Sequence, residues 1–270
     1  MTTEQIVLPF LKWAGGKRWL THLSSSMTSS GTYIEPFVGS GAMFFAIKPK
    51  KAMLSDANRE LIEAYKSVRD DPILIEHLLR EHQAAHNKEH YYRVRKNIPL
   101  DAVERSARFI YLNRTCWNGL YRVNKRGEFN VPIGTKSAVL MASDNWSGAA
   151  ALLRKVQLIA GDFEQAIDKA VSGDLVFADP PYTVKHNLNG FLKYNEFIFS
   201  WEDQLRLYAC LLRAKRRGVK VVSTNAAHQS IWELYKEEFD IEYLSRASVL
   251  AGKASARGRY EEFLITSNHE

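Results

Sequence analysis

Short apolar runs recur along the chain and predict buried strands. Most are bounded by turn-forming or polar residues, and several are followed by a stretch with helical periodicity. Strands that alternate with helices in this way are typical of an α/β sheet. The predicted strands are 33–35, 51–55, 155–160, 175–178 and 219–224, with 242–250 and 261–267 as a final antiparallel pair.

Helical periodicity covers much of the remaining sequence. Ser200 precedes one such stretch as a cap, and either Asp56 or Asn58 could cap another. Between about residues 71 and 150 the strand signals fade, and basic and polar residues become frequent, which predicts a separate helical segment. The predicted helices begin near Ala42 and then cover 59–68, 72–88, 101–114, 164–171, 201–217 and 231–238.

The motif Asp179-Pro180-Pro181-Tyr182 follows the apolar run at 175–178. Neither proline can extend a strand, so the motif predicts a stiff loop at the ligand-binding edge of the sheet. A flat ring can stack on Tyr182, while Asp179 and the Pro180 carbonyl accept hydrogen bonds from an amino group on that ring. The plain alternative is a strand end followed by a turn.

Two glycine-containing segments near the start of the chain are candidate ligand loops. The first could instead be an ordinary turn, and the second lacks the lysine of a phosphate-binding P-loop. Candidate residues in the first loop are Trp13, Ala14, Gly15 and Lys17. Those in the second are Glu35, Pro36, Phe37, Gly39, Ser40 and Gly41.

Acidic residues end two further predicted strands. Asp56 stands where Rossmann-like folds hold a ribose diol, although a helix cap is an equally ordinary role. Asp162 and Phe163 follow the strand at 155–160 and could hold a second ring, such as a cofactor adenine. The sequence therefore predicts cofactor contacts at several strand ends.

A predicted β-hairpin lies at 120–131. Residues 120–123 and 128–131 flank Asn124-Lys125-Arg126-Gly127, which gives the hairpin a positively charged tip. A basic two-stranded ribbon can enter a major groove, where arginine bonds guanine through two donors. The alternative is a scaffold hairpin with solvated charges, and the overall charge favours the DNA interpretation.

Three histidines, His82, His86 and His90, are spaced four residues apart. We expect them to share one helix face. A metal ion would suit such a face, but no ligand set completed by carboxylates is present. A solvated or DNA-facing surface is therefore favoured, and no metal is predicted.

Composition narrows the class of protein. The formal net charge is +7 and the pI is about 9.3, which favours a polyanionic partner. Arg93 and Arg95 lie in a basic and aromatic cluster suited to phosphate contact. Cys116 and Cys210 form neither a disulfide framework nor a zinc motif, which suits a reducing cytoplasm. No signal peptide and no membrane-spanning run is predicted.

Six motifs occur in order along nearly the whole chain: FLKWAGGK, EPFVGSGA, SDANRELI, NGLYRVNKRGEFNVPIG, GDF and DPPY. In this order they resemble the Dam-type, alpha-group DNA adenine-N6 methyltransferases. The resemblance implies an α/β fold, namely a Rossmann-like S-adenosylmethionine-dependent methyltransferase sheet with an inserted, mostly helical DNA-recognition domain carrying a β-hairpin. It implies a catalytic domain at 1–70 and 151–270 and a target-recognition domain at 71–150.

The resemblance implies S-adenosylmethionine as cofactor and S-adenosylhomocysteine as product. It assigns catalysis to Asp179, Pro180 and Tyr182, with Pro181 completing the motif. The target would be an adenine flipped out of duplex DNA, because its N6 atom is inaccessible inside a helix. The residues implied to line the cofactor pocket are Trp13, Lys17, Phe37, Gly39, Asp56, Asp162, Phe163 and Asp179, and their loop neighbours extend this set.

The resemblance also implies contacts to DNA bases. Lys12 and Arg122 match residues that contact guanines, and Leu120 and Pro132 match contacts to a thymine. Trp117 matches an aromatic wedge that fills the gap left by the flipped base, where the family often has Tyr or Phe. GATC is the leading target. Further DNA candidates are Arg93, Arg95, Asn118, Asn124, Lys125, Arg126, Lys185, Lys253 and Arg257.

Other functions compete with this one. A cytosine-N4 methyltransferase would tend to carry Ser in place of Asp179, and a protein-glutamine methyltransferase resembles NPPY and lacks a basic insert. An RNA methyltransferase is more remote, and a catalytically silent DNA-binding module would not need the full cofactor loop. The expected partners are double-stranded DNA and a candidate cognate restriction endonuclease. The expected location is the bacterial or phage-infected cytoplasm, on the nucleoid, without a membrane.

Overall fold

The computed structural model describes residues 6–13, 15–124, 126–183, 199–247 and 259–267. A predicted mobile lid at 183–199 and a phosphate-gripping loop at 251–260 therefore fall mostly outside the described residues. So do five of the predicted site residues, namely Ala14, Lys125, Lys185, Lys253 and Arg257.

The chain forms two compact units that interleave along the sequence. The first unit comprises Met1–Ser26 and Val38–Gly161, and the second comprises Met27–Phe37 and Asp162–Glu270. The division into a catalytic domain and an inserted recognition domain at 71–150 stays a prediction.

Strands alternate with helices, and the predicted α/β fold class is confirmed. In the first unit β2 and β3 pair in parallel, with Leu54 opposite Leu158. In the second unit β1, β4 and β5 pair in parallel, and β5, β7 and β6 continue as antiparallel neighbours. The predicted final antiparallel pair is therefore confirmed. The strands are β1 (Tyr33–Glu35), β2 (Ala52–Asp56), β3 (Val156–Ala160), β4 (Leu175–Ala178), β5 (Lys220–Ala226), β6 (Asp240–Ala247) and β7 (Arg259–Thr266).

The helices that were predicted begin within two residues of their predicted starts, while those at Lys88–Lys96 and Trp146–Leu153 were not predicted. Two short 3-10 helices, Arg18–Ser26 and Trp117–Gly119, accompany them. Within the described ranges, none of the helices combines the length and the apolar character needed to cross a bilayer. The α-helices are α1 (Ala42–Ile47), α2 (Arg59–Asp70), α3 (Pro72–Ala85), α4 (Lys88–Lys96), α5 (Ala102–Thr115), α6 (Trp146–Leu153), α7 (Phe163–Ile167), α8 (Trp201–Arg216) and α9 (Gln229–Tyr235).

Local side chains explain where several helices begin and end. Ser200 caps α8 in a reciprocal capping box with Asp203, as the cap prediction requires. Asn58 caps α2 by accepting from the Leu61 amide, which leaves Asp56 for another role. Helix α7 ends at Ile167, and the prediction that it runs to residue 171 is wrong. The Val171 amide instead donates to the Asp174 carboxylate over 2.9 Å, which closes a turn.

The core of the first unit is aromatic. The Phe10 ring lies 5.0 Å from Tyr65, 5.9 Å from Trp146 and 6.2 Å from Phe45 between centroids. Burial of one such ring stabilises the fold by roughly 1.5–3 kcal/mol. These contacts hold the segment that leads into Trp13 against helices α1, α2 and α6.

The core of the second unit surrounds β4, whose four residues are all buried. Beneath the sheet, a buried polar network joins three elements. The Asn225 amide donates to Gln204 over 2.9 Å, and the Gln204 amide donates to the Tyr235 hydroxyl over 2.9 Å. Because these buried polar atoms are paired, the network fixes β5, α8 and α9 without a desolvation penalty.

Candidate active site and DNA interface

The glycine loop at 39–41 lies in the first unit and has a conformation that only glycine tolerates well. Gly39 and Gly41 adopt φ angles of 47° and 65°. A Cβ atom on Gly39 would lie 2.7 Å from the Trp13 ring. The Tyr65 hydroxyl donates to the Gly39 carbonyl over 3.1 Å. The predicted loop residues Trp13 and Gly39 are therefore in direct contact.

Asp56 ends β2 and faces the same glycine loop. Its carboxylate accepts hydrogen bonds from the Gly39 amide over 3.2 Å and from the Asn58 amide over 2.9 Å. Burial raises the pKa of Asp56 to about 6, against the effect of these two hydrogen bonds. A half-buried carboxylate with acceptor capacity to spare suits the diol of a ribose.

A small cleft opens beside the N-terminal loop of the first unit. Lys17 is buried, and its ammonium group donates to the Gly15 carbonyl over 2.9 Å. A side chain placed on Gly15 would meet no atom within 4 Å, so this backbone is open to a ligand. The cleft has a volume of about 200 Å³ and is lined by Leu11, Lys12, Trp13, Gly16, Arg18 and Ser40.

In the second unit, an aromatic cluster surrounds Phe37. Its ring stacks on Phe163 with the centroids 5.3 Å apart, and Phe199 meets it edge-on at 5.7 Å. Neighbouring Glu35 is buried and accepts from the Tyr33 hydroxyl over 2.8 Å. The structure brings the predicted residues Phe37 and Phe163 together, while the contributions of Tyr33 and Phe199 were missed.

Asp162 has two partners in the second unit. It caps α7 by accepting from the Glu164 amide over 2.9 Å, and it pairs with Arg206 at 2.7 Å. The Arg206 guanidinium also lies 4.5 Å above the Phe163 ring. Asp162 and Phe163 are therefore both fixed by Arg206, a residue that sequence reasoning did not single out.

The motif at 179–182 follows β4 in the second unit as predicted. The Thr224 hydroxyl donates to Oδ1 of Asp179 over 2.6 Å. The Tyr182 hydroxyl donates to Oε2 of Glu262, also over 2.6 Å. Burial, followed by the charges of Asp179 and Glu262, holds the pKa of Tyr182 well above its usual value. Thr224 and Glu262 are additions to the predicted site.

Pro180 and Pro181 give the motif its stiffness. Pro180 is buried, and Pro181 is partly exposed. Their fixed φ angles limit the conformations open to Tyr182 and to the Pro180 carbonyl. The motif therefore presents Asp179 and Tyr182 from a backbone with little freedom to rearrange.

Lys12 and the end of α5 are joined in the first unit. The Lys12 amide donates to Oδ1 of Asn113 over 2.9 Å, and the Asn113 amide donates back to the Lys12 carbonyl over 2.7 Å. The Lys12 ammonium donates to the Arg114 carbonyl over 3.1 Å. Burial and nearby cations lower the pKa of Lys12. The N-terminal loop is thus fixed to the segment that leads to Trp117.

Trp117 lies on the short 3-10 helix after α5 and is 53% exposed. Asn118 beside it is exposed and adopts a left-handed φ of 56°. Leu120 is half-buried and Pro132 is exposed. The Trp117 amide donates to the Pro132 carbonyl over 2.9 Å, so the structure brings these two predicted DNA contacts together.

The flanks of the predicted hairpin are not regular strands. A single antiparallel bridge joins Val123 to Phe129, and the Asn130 amide donates to the Arg122 carbonyl over 3.2 Å. The Asn124 side chain accepts from the amides of Arg126 and Glu128. These bonds close the turn between the flanks, and the pairing beside the turn is limited to this one bridge. Arg126 is exposed on this turn.

Two arginines of the predicted phosphate-binding cluster differ in setting. Arg95 is half-buried, donates to the Val131 carbonyl over 3.2 Å and lies 4.7 Å above the Tyr92 ring. Arg93 is exposed and bonds to His90 over 2.9 Å. Arg95 therefore links α4 to the segment around Val131, while Arg93 remains open to solvent on one side.

The prediction that the three histidines share one helix face is wrong. His82 lies on α3, His86 follows that helix as its cap, and His90 lies on α4. They meet around Tyr111: the His82 ring stacks on it at 4.6 Å, and Nδ1 of His86 bonds to its hydroxyl over 2.9 Å. His82 is half-buried in this cluster, and burial lowers its pKa to about 4.

Comparison with known proteins agrees with this arrangement. The profile of the D12 class N6 adenine-specific DNA methyltransferases matches residues 13–249. A type II methyltransferase, M1.LlaDCHI of Lactococcus lactis subsp. cremoris, is 36% identical over 96% of this chain and 95% of its own length. The type II methyltransferase M.MjaIII of Methanocaldococcus jannaschii is 36% identical over 96% of this chain and 99% of its own length. A DNA adenine methylase of Vibrio cholerae is 29% identical over 94% of each chain.

These matches confirm the resemblance to the Dam type that the six ordered motifs indicated. They span the N-terminal loop, the glycine loop and the motif at 179–182. The chain belongs to the D12 class N6 adenine-specific DNA methyltransferases, enzymes whose substrate is DNA and whose cofactor is S-adenosylmethionine.

Proposed function

We propose that this enzyme methylates N6 of an adenine that has been flipped out of duplex DNA, and that its target is GATC. The observation that carries the proposal is the bond between Thr224 and Asp179, because it fixes the carboxylate that must meet the amino group. The GATC assignment rests on the likeness of the segment around Arg122 to Dam-type recognition segments. Flipping follows from the inaccessibility of N6 inside a duplex.

The proposed chemistry depends on hydrogen bonds to the N6 amino group. The adenine N6 lone pair is delocalised into the ring, which makes it a poor nucleophile. Asp179 and the Pro180 carbonyl would each accept one N6 hydrogen and so favour a pyramidal nitrogen with a localised lone pair. The Thr224 hydroxyl, which donates to Oδ1 of Asp179, would hold this carboxylate in place for the amino group. Tyr182 would stack on the base and fix the line of attack.

In the first unit, we propose contacts to the ribose and to the methionyl end of the cofactor. When bound, S-adenosylmethionine supplies an electrophilic methyl group on a sulfonium. Asp56 fits the ribose hydroxyls, because its half-buried carboxylate retains acceptor capacity. The open backbone at Gly15, beside buried Lys17, would receive the methionyl end of the cofactor.

An aromatic ring of the cofactor would lie against the cluster around Phe37. Phe37 and Phe163 are stacked with centroids only 5.3 Å apart, which leaves no room for a third ring between them. The cofactor adenine would therefore stack on an outer face of this pair. Asp162, held by Arg206, would accept from the exocyclic amino group of that adenine.

DNA recognition is proposed for the exposed segment after α5. Trp117 would fill the space left by the flipped base, since its ring is already half in solvent. Arg122 and Lys12 would read guanines, and Leu120 and Pro132 would contact the thymine methyl. Exposed cations such as Arg93 and Arg126 would add salt-dependent phosphate contacts.

Single-base mapping of N6-methyladenine tests the proposal. Plasmid DNA is incubated with the purified protein and S-adenosylmethionine, with the Asp179→Ala variant as the control. We expect methylation at the adenine of GATC with the unaltered protein and none with the variant. Methylation at other adenines would retain the chemistry and reject GATC, while methylation of cytosine or of no DNA base would reject the proposed function.

A further inference from the structure

We infer that Glu262 is a positioning residue that holds the ring of Tyr182 in place for the flipped adenine. The inference rests on the proposed function, in which Tyr182 stacks on that base. Glu262 lies on β7, 80 residues after the motif, and no motif that indicated the family includes it. Its only proposed action on the reaction is through the tyrosine.

The register of the sheet directs Glu262 toward the motif. Glu262 is opposite Ala226 on β5, and Thr224 lies two residues before Ala226 on the same strand. Because side chains two residues apart point to the same face of a strand, Thr224 and Glu262 share one face of the sheet. From that face Thr224 bonds Asp179 and Glu262 bonds Tyr182, each over 2.6 Å.

Burial of a carboxylate at this position calls for an explanation. Glu262 is only 4% exposed, and burying a charged group is costly unless hydrogen bonds compensate. An apolar side chain of similar size would fill the same space at less cost. The carboxylate therefore has a use that an apolar group could not serve, and the bond to the Tyr182 hydroxyl provides one.

The bond restrains the tyrosine at its far end. The backbone end of Tyr182 is already limited by Pro181, whose φ is fixed. The hydroxyl, at the other end of the ring, is fixed by Glu262. Since burial and the carboxylates raise the pKa of Tyr182, the hydroxyl stays protonated and keeps its donor at neutral pH. A ring held at both ends keeps its long axis in one direction beside the base.

A double-mutant cycle tests the inference. The variants are Glu262→Leu, Tyr182→Phe and the pair together, and the same cycle is run with Glu262→Gln in case the leucine variant does not fold. The measured quantity is the single-turnover rate of methyl transfer at saturating DNA and S-adenosylmethionine. Thermal unfolding and binding of S-adenosylhomocysteine establish that each variant is folded.

We expect Glu262→Leu to slow methyl transfer about 10-fold or more, with the dissociation constants of DNA and cofactor within about 3-fold of the unaltered protein. In the Tyr182→Phe background the same substitution should have little further effect, because the bond is already lost. Glu262→Gln keeps an acceptor oxygen and should slow the rate less than leucine does.

A second measurement tests the position of the Tyr182 ring rather than the rate of methyl transfer. With 2-aminopurine at the target position, the fluorescence of the flipped base depends on how it stacks, so Glu262→Leu should change its lifetime distribution. A folded Glu262 variant with an unchanged rate and lifetime, or effects that add fully to those of Tyr182→Phe, would overturn the inference. Absence of N6-methyladenine with the unaltered protein would instead reject the proposed function.

Discussion

Arg122 and Asn130 are joined across the turn after α5: Nε of Arg122 donates to Oδ1 of Asn130 over 2.9 Å. The two terminal nitrogens of the guanidinium are the pair that could then contact O6 and N7 of a guanine together. We expect Arg122→Ala to lose roughly 1–3 kcal/mol of discrimination at one guanine of the target. Competition between duplexes that differ at that base pair measures the loss.

Two further variants control this prediction. Asn130→Ala should lose part of the same discrimination, because the guanidinium is no longer oriented. Arg126→Ala, at the exposed turn, should weaken binding to all duplexes by the same factor and should reduce the dependence of that binding on salt concentration. If Arg122→Ala discriminates as well as the unaltered protein, Arg122 does not read a base.

Replacement of Asp179 separates catalysis from binding. In Asp179→Asn an amide would replace the carboxylate that accepts from N6, and we expect a fall in methyl transfer on the order of 10²–10³-fold. Duplex binding should be largely retained, because phosphate contacts dominate affinity. Asp168→Asn, at a surface ion pair with Arg213, is the matched control and should keep the rate. Substantial turnover by Asp179→Asn would exclude the proposed role.

Cofactor affinity should depend on pH through Asp56. Its pKa in the free protein is raised to about 6, so the carboxyl group becomes protonated as the pH falls below that value. Ribose hydroxyls donate to the ionised form, so binding should weaken by up to about 10-fold per pH unit below 6 and level off above it. Calorimetric titration with S-adenosylhomocysteine between pH 5 and 8 measures this, and Asp56→Asn should bind weakly with a flatter profile.

The histidine cluster should make the fold sensitive to acid. The folded-state pKa of His82 is about 4, below its usual value near 6.5, so the unfolded chain binds the extra proton first. The free energy of unfolding should therefore fall between about pH 6.5 and pH 4, by on the order of 2 kcal/mol from this residue. Tyr111 and His90 contact His82 directly, while His86 bonds to Tyr111 and Arg93 bonds to His90.

Urea unfolding at several pH values measures this loss. His82→Phe keeps a ring against Tyr111 and should make the free energy of unfolding less dependent on pH. His77→Gln, where the imidazole is 64% exposed, should leave it as it is. If the free energy of unfolding changes equally with pH in the unaltered protein and in His82→Phe, His82 is not the source of the acid sensitivity.

Arg114 should be a strong determinant of stability. It is fully buried, pairs with Asp144 at 2.6 Å and donates to the carbonyls of Phe10 and Val139. Arg114→Met would leave the largely buried Asp144 carboxylate without its cation. The substitution should lower the free energy of unfolding, measured with denaturant, by about 3–5 kcal/mol. Arg80→Met, at an exposed pair with Glu76, should cost under about 1 kcal/mol. Similar losses for the two variants would contradict this role.

The sequence predicts features that neighbouring residues determine, but not contacts between residues that are far apart along the chain. The buried run at 175–178 and the motif after it were both predicted, because prolines and apolar patterning act over a few residues. Thr224 and Glu262 were not, since their partners Asp179 and Tyr182 lie 45 and 80 residues away. Only the pairing of β5 with β7 places these side chains beside the motif.

The histidine cluster and the turn after α5 show two further limits. Periodicity alone treated His82 and His90 as one helix, whereas a break after Ala85 and the packing of α3 and α4 on Tyr111 bring them together from two. The flanks of the predicted hairpin pair through only one bridge, beside a turn that the Asn124 side chain closes. The spacing of residues along the sequence shows neither where a helix breaks nor how far a strand pair extends.

The interleaving of the two units has a consequence for biosynthesis. Strand β1 belongs to the second unit, yet its partner β4 lies more than half the chain later, with Tyr33 opposite Leu175. At roughly 5–20 residues per second on a ribosome, that pairing waits for about 10–30 s. A chain that ends before β4 cannot complete this pairing, and no contiguous fragment contains the second unit without residues 38–161 of the first.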